Sequence, residues 1–335
     1  MACASLATTA PGGGCAGVPA SSGACAPDAS GARCHGRVLM WSGSTAAFGR
    51  RAGDSRRASH SAGAVLRDHG DVNGLAVATI ASLTRATQWR LISELPMKCD
   101  AHHPQGMTKI GSTWWISTVD VEARHGYVLV VDSDGDLLER VPVGDDQRYH
   151  PGGMDFDGVA CWIPAAEYRP DSTTTVYRLE PGGVPVRAFD VNDHVGALAR
   201  CGNGGDLVGW SWGSRRFFRW SAEGDLRASR PNPAFFVDYQ DCQWFDGGHL
   251  LCGGVADVGL SSGRGWLGGI ALLDTNSLRI ERAVPFPEYS SATGRVGTHN
   301  PIWAEVNGND LIIHLLPDDG RSAILSYSTP LVGED

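Results

Sequence analysis

At 335 residues and a formal net charge of −9, the chain has room for one sizeable domain or two small ones and for a large buried core. Its 44 glycines and 18 prolines argue against a helical protein and suit a fold full of turns, and no run of about 18 apolar residues offers a membrane-spanning helix. Residues 1–88 carry eight arginines, no lysine and four aspartates, a net +4, whereas the remainder carries 20 basic and 33 acidic residues, a net −13. A globular part that acidic argues against a nucleic-acid partner and is compatible with a cationic ligand or a bound metal.

Residues 1–60 are rich in Ala, Gly, Ser and Arg and lack hydrophobic periodicity, so residues 1–73 read as a disordered extension or a targeting segment. The expected location is the cytoplasm, and the alternative is organelle targeting by residues 1–60, because few acids and several arginines suit a transit peptide. Residues 74–88 read as a helix and linker, with GLAVATIASLTRA at 74–86 as one short amphipathic helix. Residues 89–335 then carry a unit of about 45 residues that recurs with divergence.

Four copies open on a histidine followed by a short apolar strand: HPQGMTKI from His103, HPGGMDFD from His150, HVGALARC from His194 and HNPIWAEV from His299. A further copy, YQDCQWFD from Tyr239, lies before the last of these and lacks the histidine. The last interval is longer, with insertions expected at 257–266 and near 287–297. Second strands follow at TWWISTV, CWIPAAE, DLVGWSW, HLLCGGV and DLIIHLL, third strands at YVLVVD, TVYRLE, RFFRWS, GIALLD and AILSYS, and tight Gly/Asn/Asp turns lead to fourth strands. Four antiparallel strands per unit, radially repeated, predict an all-β, single β-propeller. The last unit lacks a fourth strand, and WRLISEL at 89–95 can supply it, which gives five four-stranded blades closed by an N-terminal strand and no exposed sheet edge at the closure.

DSDGD at 132–136 resembles the start of a calcium loop, but no glutamate completes it, and its place in the repeat predicts a hairpin turn. The glycine runs near residue 14 have no strand before them and are not phosphate loops. The nine cysteines show no metal-type spacing. Most read as small buried hydrophobes, with Cys242 and Cys252 able to face each other across a hairpin in either redox state.

If the register holds, His103, His150, His194 and His299 converge at one mouth of the central channel. Clustered neutral imidazoles suit a divalent metal ion; strand capping is the structural alternative. Gln105, Asp155, Tyr239 and Gln240 are candidates for binding a ligand beside them, and Arg215 is a candidate for holding a carboxylate or phosphate. Asp241 and Glu167 are candidate general bases. His102 and His314 are further members of the set only if their strands turn them inward. The expected function is a metal-dependent hydrolase or lyase acting on a small polar molecule, and the alternative is a non-catalytic propeller that binds a ligand or a protein. The pattern leaves oligomeric state open.

The runs HHPQGM, YHPGGMDFDG, DHVGAL, SWGSRRFFRW and FVDYQDCQW resemble those of an uncharacterised, mainly actinobacterial family over about residues 85–330. That resemblance implies a propeller-like fold and brings no activity with it. The predicted architecture is also similar to that of lactonases and strictosidine-synthase-like proteins, at the level of fold alone.

Overall fold

The computed structural model describes residues 69–333 apart from 203, 204, 235, 246, 247, 261 and 262. The readings made for residues 1–68 lie outside that range. The chain enters through helix α1 (His69–Ser82) and strand β1 (Arg90–Pro96). The helix ends four residues earlier than the apolar run suggested and begins five earlier. Ala76, Ile80 and Leu83 at its C-terminal end are buried in the same apolar cluster as Ile270, Leu272 and Ile313, so packing rather than helix propensity sets this segment.

Five antiparallel sheets of four strands follow as a ring of blades. Blade 1 is β2 (His103–Ile110), β3 (Thr113–Asp120), β4 (His125–Val131) and β5 (Leu137–Val143). Blade 2 has a broken first strand, β6 (His150–Pro151) and β7 (Asp155–Phe156), then β8 (Cys161–Ala166), β9 (Thr174–Leu179) and β10 (Val186–Val191). Blade 3 is β11 (Val195–Cys201), β12 (Asp206–Ser211), β13 (Arg216–Trp220) and β14 (Leu226–Pro231). Blade 4 is β15 (Val237–Trp244), β16 (His249–Leu260), β17 (Gly263–Asp274) and β18 (Arg279–Pro285). Blade 5 is β19 (Ile302–Asn307), β20 (Asp310–Leu315), β21 (Ala323–Pro330) and, outermost, β1. The pairing of Leu91 with Tyr327 and Glu94 with Leu325 confirms that the orphan N-terminal strand closes the last blade.

Middle strands are buried on both faces between neighbouring blades, so TWWISTVD and CWIPAA read as near-continuous apolar runs. Outer strands such as β5 and β14 are mostly exposed and carry the charge. One apolar cluster fills each blade interface: Trp115 with Ile163 between blades 1 and 2, Trp162 with Leu207 next, then Trp210 with Leu250, Ile270 with Ile313, and Ile116 with Ile324. The last of these joins the ring's ends, helped by Lys109 Nζ on Glu305 at 3.0 Å. His314 belongs to this join through Glu305 and Ser326 and not to the channel mouth. Cys242 and Cys252 are opposite each other in β15 and β16 and form a disulfide.

Two sequence readings take definite form here. The expected insertion at 257–266 is a continuation of β16 and β17, paired through to Leu260 and Gly263 as a hairpin beyond the blade. The Asp132 carboxylate accepts the N–H groups of Asp134 and Asp136, which makes DSDGD the turn its place in the repeat required.

The axis of the ring is held by side chains and by one backbone bridge, in which Gly153 N donates to Gly196 O and Leu198 N to Gly153 O at 3.0 Å each. Asp155 Oδ2 accepts Arg200 N at 3.2 Å and Trp244 N at 3.1 Å, joining blade 2 to blades 3 and 4. Asp241 accepts Met107 N at 2.9 Å, its neighbour Cys242 N and the Ile302 amide, joining blade 4 to blades 1 and 5. Gln243 pairs both ways with the Ala304 backbone. At Gly153 an added Cβ would meet Ala197 Cβ at 2.5 Å and Asp241 Oδ1 at 2.6 Å, so only glycine fits this close approach.

Each buried amide left without an acceptor costs about 1–3 kcal/mol. Asp241→Ala strips three of them and is expected to lower unfolding free energy by about 3 kcal/mol or more, read by urea denaturation. Glu122→Ala on the exposed rim should stay within about 0.5 kcal/mol; equal losses would mean that Asp241 holds nothing.

Candidate functional site

The first strand of each blade starts, and the second ends, on the same face of the ring. His103 and His150 open β2 and β6, and His194 immediately precedes β11. His299 instead ends a short 3-10 turn, Gly297–His299, three residues before β19. His150 and His194 have ring centres 5.5 Å apart. The His103 ring is close enough to act electrostatically on both His150 and His299. His103, His150 and His194 line one cavity, whereas His299 is near His103 but is not among the lining residues.

That cavity measures about 150 Å³ and is lined by His103, Gln105, His150, His194, Tyr239 and Gln240, with Tyr168 and Trp212 as aromatic walls. Tyr168 stacks on His150 at 4.3 Å, and Trp212 stands edge-on to His194 at 4.6 Å. The strand pairing slips by one residue at the same place in three blades, between Pro104 and Gly106, Val195 and Ala197, and Tyr239 and Asp241. The residues skipped by those bulges, Gln105, Gly196 and Gln240, all line the cavity. A bulge turns an otherwise paired residue toward open space, so the site is built where the repeat is irregular.

Neighbouring loops fix two of the imidazoles. His194 Nδ1 lies 3.0 Å from the carbonyls of both Glu167 and Arg169, which only accept, so that nitrogen carries the proton. His103 Nδ1 faces Asp319 Oδ1 at 2.8 Å. The Nδ1 atoms of His150 and His299 are buried without a protein partner. Burial holds His150 well below the usual imidazole range, reinforced by His194 and His103. Burial likewise brings His194 down to about 4, and burial with the Arg295 charge brings His299 to about 4. Those three rings are neutral at pH 7, the form that binds metals. Burial pushes the Asp319 carboxyl up, but hydrogen bonds from His103 and Arg295 outweigh it and hold it well below the ordinary carboxylate range.

Other candidates fall elsewhere. Asp241 is fully buried at the axis and Asp155 nearly so, with their oxygens taken by backbone amides, and neither lines the cavity. Burial raises the Asp155 carboxyl to about 6 and the Asp241 carboxyl well above its usual value. Glu167 is spent on Arg169 and on Thr173 N and Oγ1, and the Arg169 bond lowers its carboxyl. Its service to the site is through its backbone carbonyl on His194. Arg215 is exposed and outside the cavity lining. His102, with a left-handed backbone, lies on the outer vestibule with Asp100, Asp120, Glu122 and Asp319. Sequence reasoning missed Tyr168, Trp212, Arg295 and Asp319. Three of them sit in loops after second strands, and the common signal was that this loop shares a face with the first strand's start.

Among the described residues, the one set of three side chains whose ligand atoms all lie within 4.8 Å of one another is His249, Asp274 and Glu281. It sits where β16 begins and β17 ends, away from the mouth.

The model of a family of unknown function, DUF6454, matches residues 64–331. No curated protein matches the chain. Among solved structures it is similar to hydrazine synthase of Kuenenia stuttgartiensis, with 15% identity, a TM-score of 0.39 and coverage of 70% of this chain and 59% of that one, so it spans under two thirds of that protein. A luciferin-regenerating enzyme gives 11% identity and a TM-score of 0.42 over 69% of this chain and 78% of that one. A protein of unknown function from Bacteroides caccae gives 10% and 0.40 over 67% and 83%.

The neutral histidines set the acid response. Their folded pKa values lie below the unfolded value of about 6.5, so the unfolded chain binds more protons between about pH 4 and 6.5. The stability they allow is present above pH 6.5 and is lost as pH falls through that window. For His194 alone the loss is about 2 kcal/mol at pH 5. Asp155 acts oppositely, because a carboxyl raised to about 6 favours the folded state as pH falls from 6 toward 4. His194→Gln in metal-free protein should flatten the decline in unfolding free energy between pH 7 and 5; an unchanged slope would contradict a buried neutral His194.

Proposed function

The chain belongs to that family of unknown function, and we propose that the histidine-lined mouth is the site of a small-molecule enzyme that holds a divalent metal ion on imidazole nitrogens. The observation that carries this reading is the anchoring of two rings from behind. His194 gives its Nδ1 proton to two backbone carbonyls and His103 faces the Asp319 carboxylate. Each leaves the other ring nitrogen as the available donor, and this outer support is the arrangement that orients histidine ligands. His150 and His299 offer nitrogens with no protein partner of their own.

A bound divalent ion would supply polarisation of a carbonyl or activation of water, which suits hydrolysis or elimination on a small polar molecule. The protein's own part is to keep the His150, His194 and His299 rings neutral by burial and to orient the molecule with Gln105 and Gln240. Tyr168 and Trp212 limit water around it. Asp241 and Glu167 have no share in that chemistry, because their oxygens are already committed.

The second reading, a binding propeller without metal, is favoured by one observation. No three of the mouth histidines bring ligand atoms within 4.8 Å of one another. In that case the stacked Tyr168 and His150 pair would hold a planar or polar ligand directly.

Elemental analysis after loading the full chain with zinc, cobalt or manganese separates the two. The first reading expects near-stoichiometric metal, lost on His194→Ala and retained on His249→Ala. Asp319→Asn should weaken binding about 10–100-fold. Metal that disappears only with His249→Ala, or that never binds, would overturn it.

A further inference from the structure

A second cavity adjoins the mouth and differs from it in chemistry. It measures about 190 Å³, lies on blade 4, and is lined by Phe236, Val237, Ala256, Leu267, Ile270 and Val284 among others, with no charged side chain. Phe236 is 68% exposed and Leu267 52% exposed on its rim. Two large apolar side chains flanking an apolar cavity mark a binding groove more than ordinary surface.

The register explains why the groove stands open. The β15 ladder reaches only Val237 with Ala256, and the β18 ladder only Pro285 with Gly269. Beyond those pairs β16 and β17 continue alone, so Leu267 has no outer strand beside it. Adjacent side chains on a strand point to opposite faces. Trp266 accordingly meets His299 edge-on at 5.5 Å, on the mouth side, while Leu267 lines the groove.

Tyr239 joins the two spaces, since it lines both the histidine cavity and the groove. It is only 3% exposed, and its hydroxyl has no hydrogen-bond partner. A buried hydroxyl normally finds one, and the only polar side chain among the groove's lining residues is this one.

We propose that the groove takes the apolar arm of the same molecule whose polar end lies among the histidines, with the Tyr239 hydroxyl donating to an oxygen on it. The proposal rests on the reading of the mouth as a small-molecule site. It narrows the substrate class to a compact amphiphile, a short alkyl or single-ring group carrying an oxygen function. Tyr239 and Leu267 are then the specificity-determining residues.

Calorimetric titration of the full chain with straight-chain alcohols from 1-butanol to 1-octanol tests this. Each methylene buried should tighten binding about fourfold, until the groove is full. Leu267→Asp or Phe236→Asp, both at exposed positions, should flatten that dependence. Tyr239→Phe should weaken every alcohol about fivefold without changing the slope. A flat ladder in the wild type, or a slope that survives both aspartate variants, would overturn the proposal. So would a wild-type dimer that Leu267→Asp dissociates, since a second copy would then cover the groove. Metal content measured on the same samples keeps the two readings apart. Normal metal with a flat ladder removes the apolar arm alone, whereas a steep ladder without metal supports the arm and removes the metal.

Discussion

Buried backbone amides at the axis are what the rest of this molecule must accommodate. Every blade pairs its strands outward, so the inner edges of the first strands converge on the ring's centre, where blades 2 and 3 meet through a short parallel bridge at Gly153 and Ala197. Buried amides need acceptors, and five converging edges cannot all pair with one another. The solution is a few inward side chains. Asp155 serves blades 3 and 4, Asp241 serves blades 1 and 5, and Gln243 serves blade 5. Burial raises both carboxyl groups, so these clamps are under electrostatic stress that the amide bonds partly relieve.

A filled axis makes the mouth a cup with a floor. Its walls are then set by loops that follow the second strands, and support passes from one blade to the next. The blade 2 loop holds His194 of blade 3 through the Glu167 and Arg169 carbonyls, and the blade 5 loop holds His103 of blade 1 through Asp319. Asp319 is itself tied to Arg295, which the 287–297 segment delivers. That segment is in turn fastened by Ser290 and Thr293 on the buried Asp318. The His103 and His194 imidazoles are therefore fixed before any ligand arrives, which is the preorganisation that binding and catalysis both need.

The blades were legible in the sequence because their physics is local and repeated. Strands buried on both faces must be apolar throughout, turns must supply Gly, Asn or Asp, and WRLISEL had no partner except the incomplete last blade. The histidine ring followed from the same period. What escaped was what the period does not encode. Asp155 looked like a ligand-binding group and Asp241 like a general base because each stands near the start of a repeat unit, but strand direction carries them down to the axis. Residues 257–266 read as an insertion, and what the period could not give was its form, a hairpin whose ladder from Asp257 to Leu260 prolongs β16 and β17 beyond the blade. His299 was expected at a strand start, and the turn ending on it displaces β19 by three residues.

The missing histidine in blade 4 ties these threads together. Broken symmetry there suggests at first a catalytic group, and Asp241 invites that role. The bulge between Tyr239 and Asp241 assigns the three successive residues to different places instead. Asp241 goes to the axis, Gln240 to the cup, and Tyr239 to the wall between the cup and the apolar groove. Without the bulge, strict alternation would put Tyr239 and Asp241 on one face, and one of them would lose its partners or its place. The same slip turns Gln105 and Gly196 to the cup in blades 1 and 3. A strand that must both satisfy a buried axis and line a ligand cavity has two targets and one periodicity, and the bulge is the local distortion that lets it reach both.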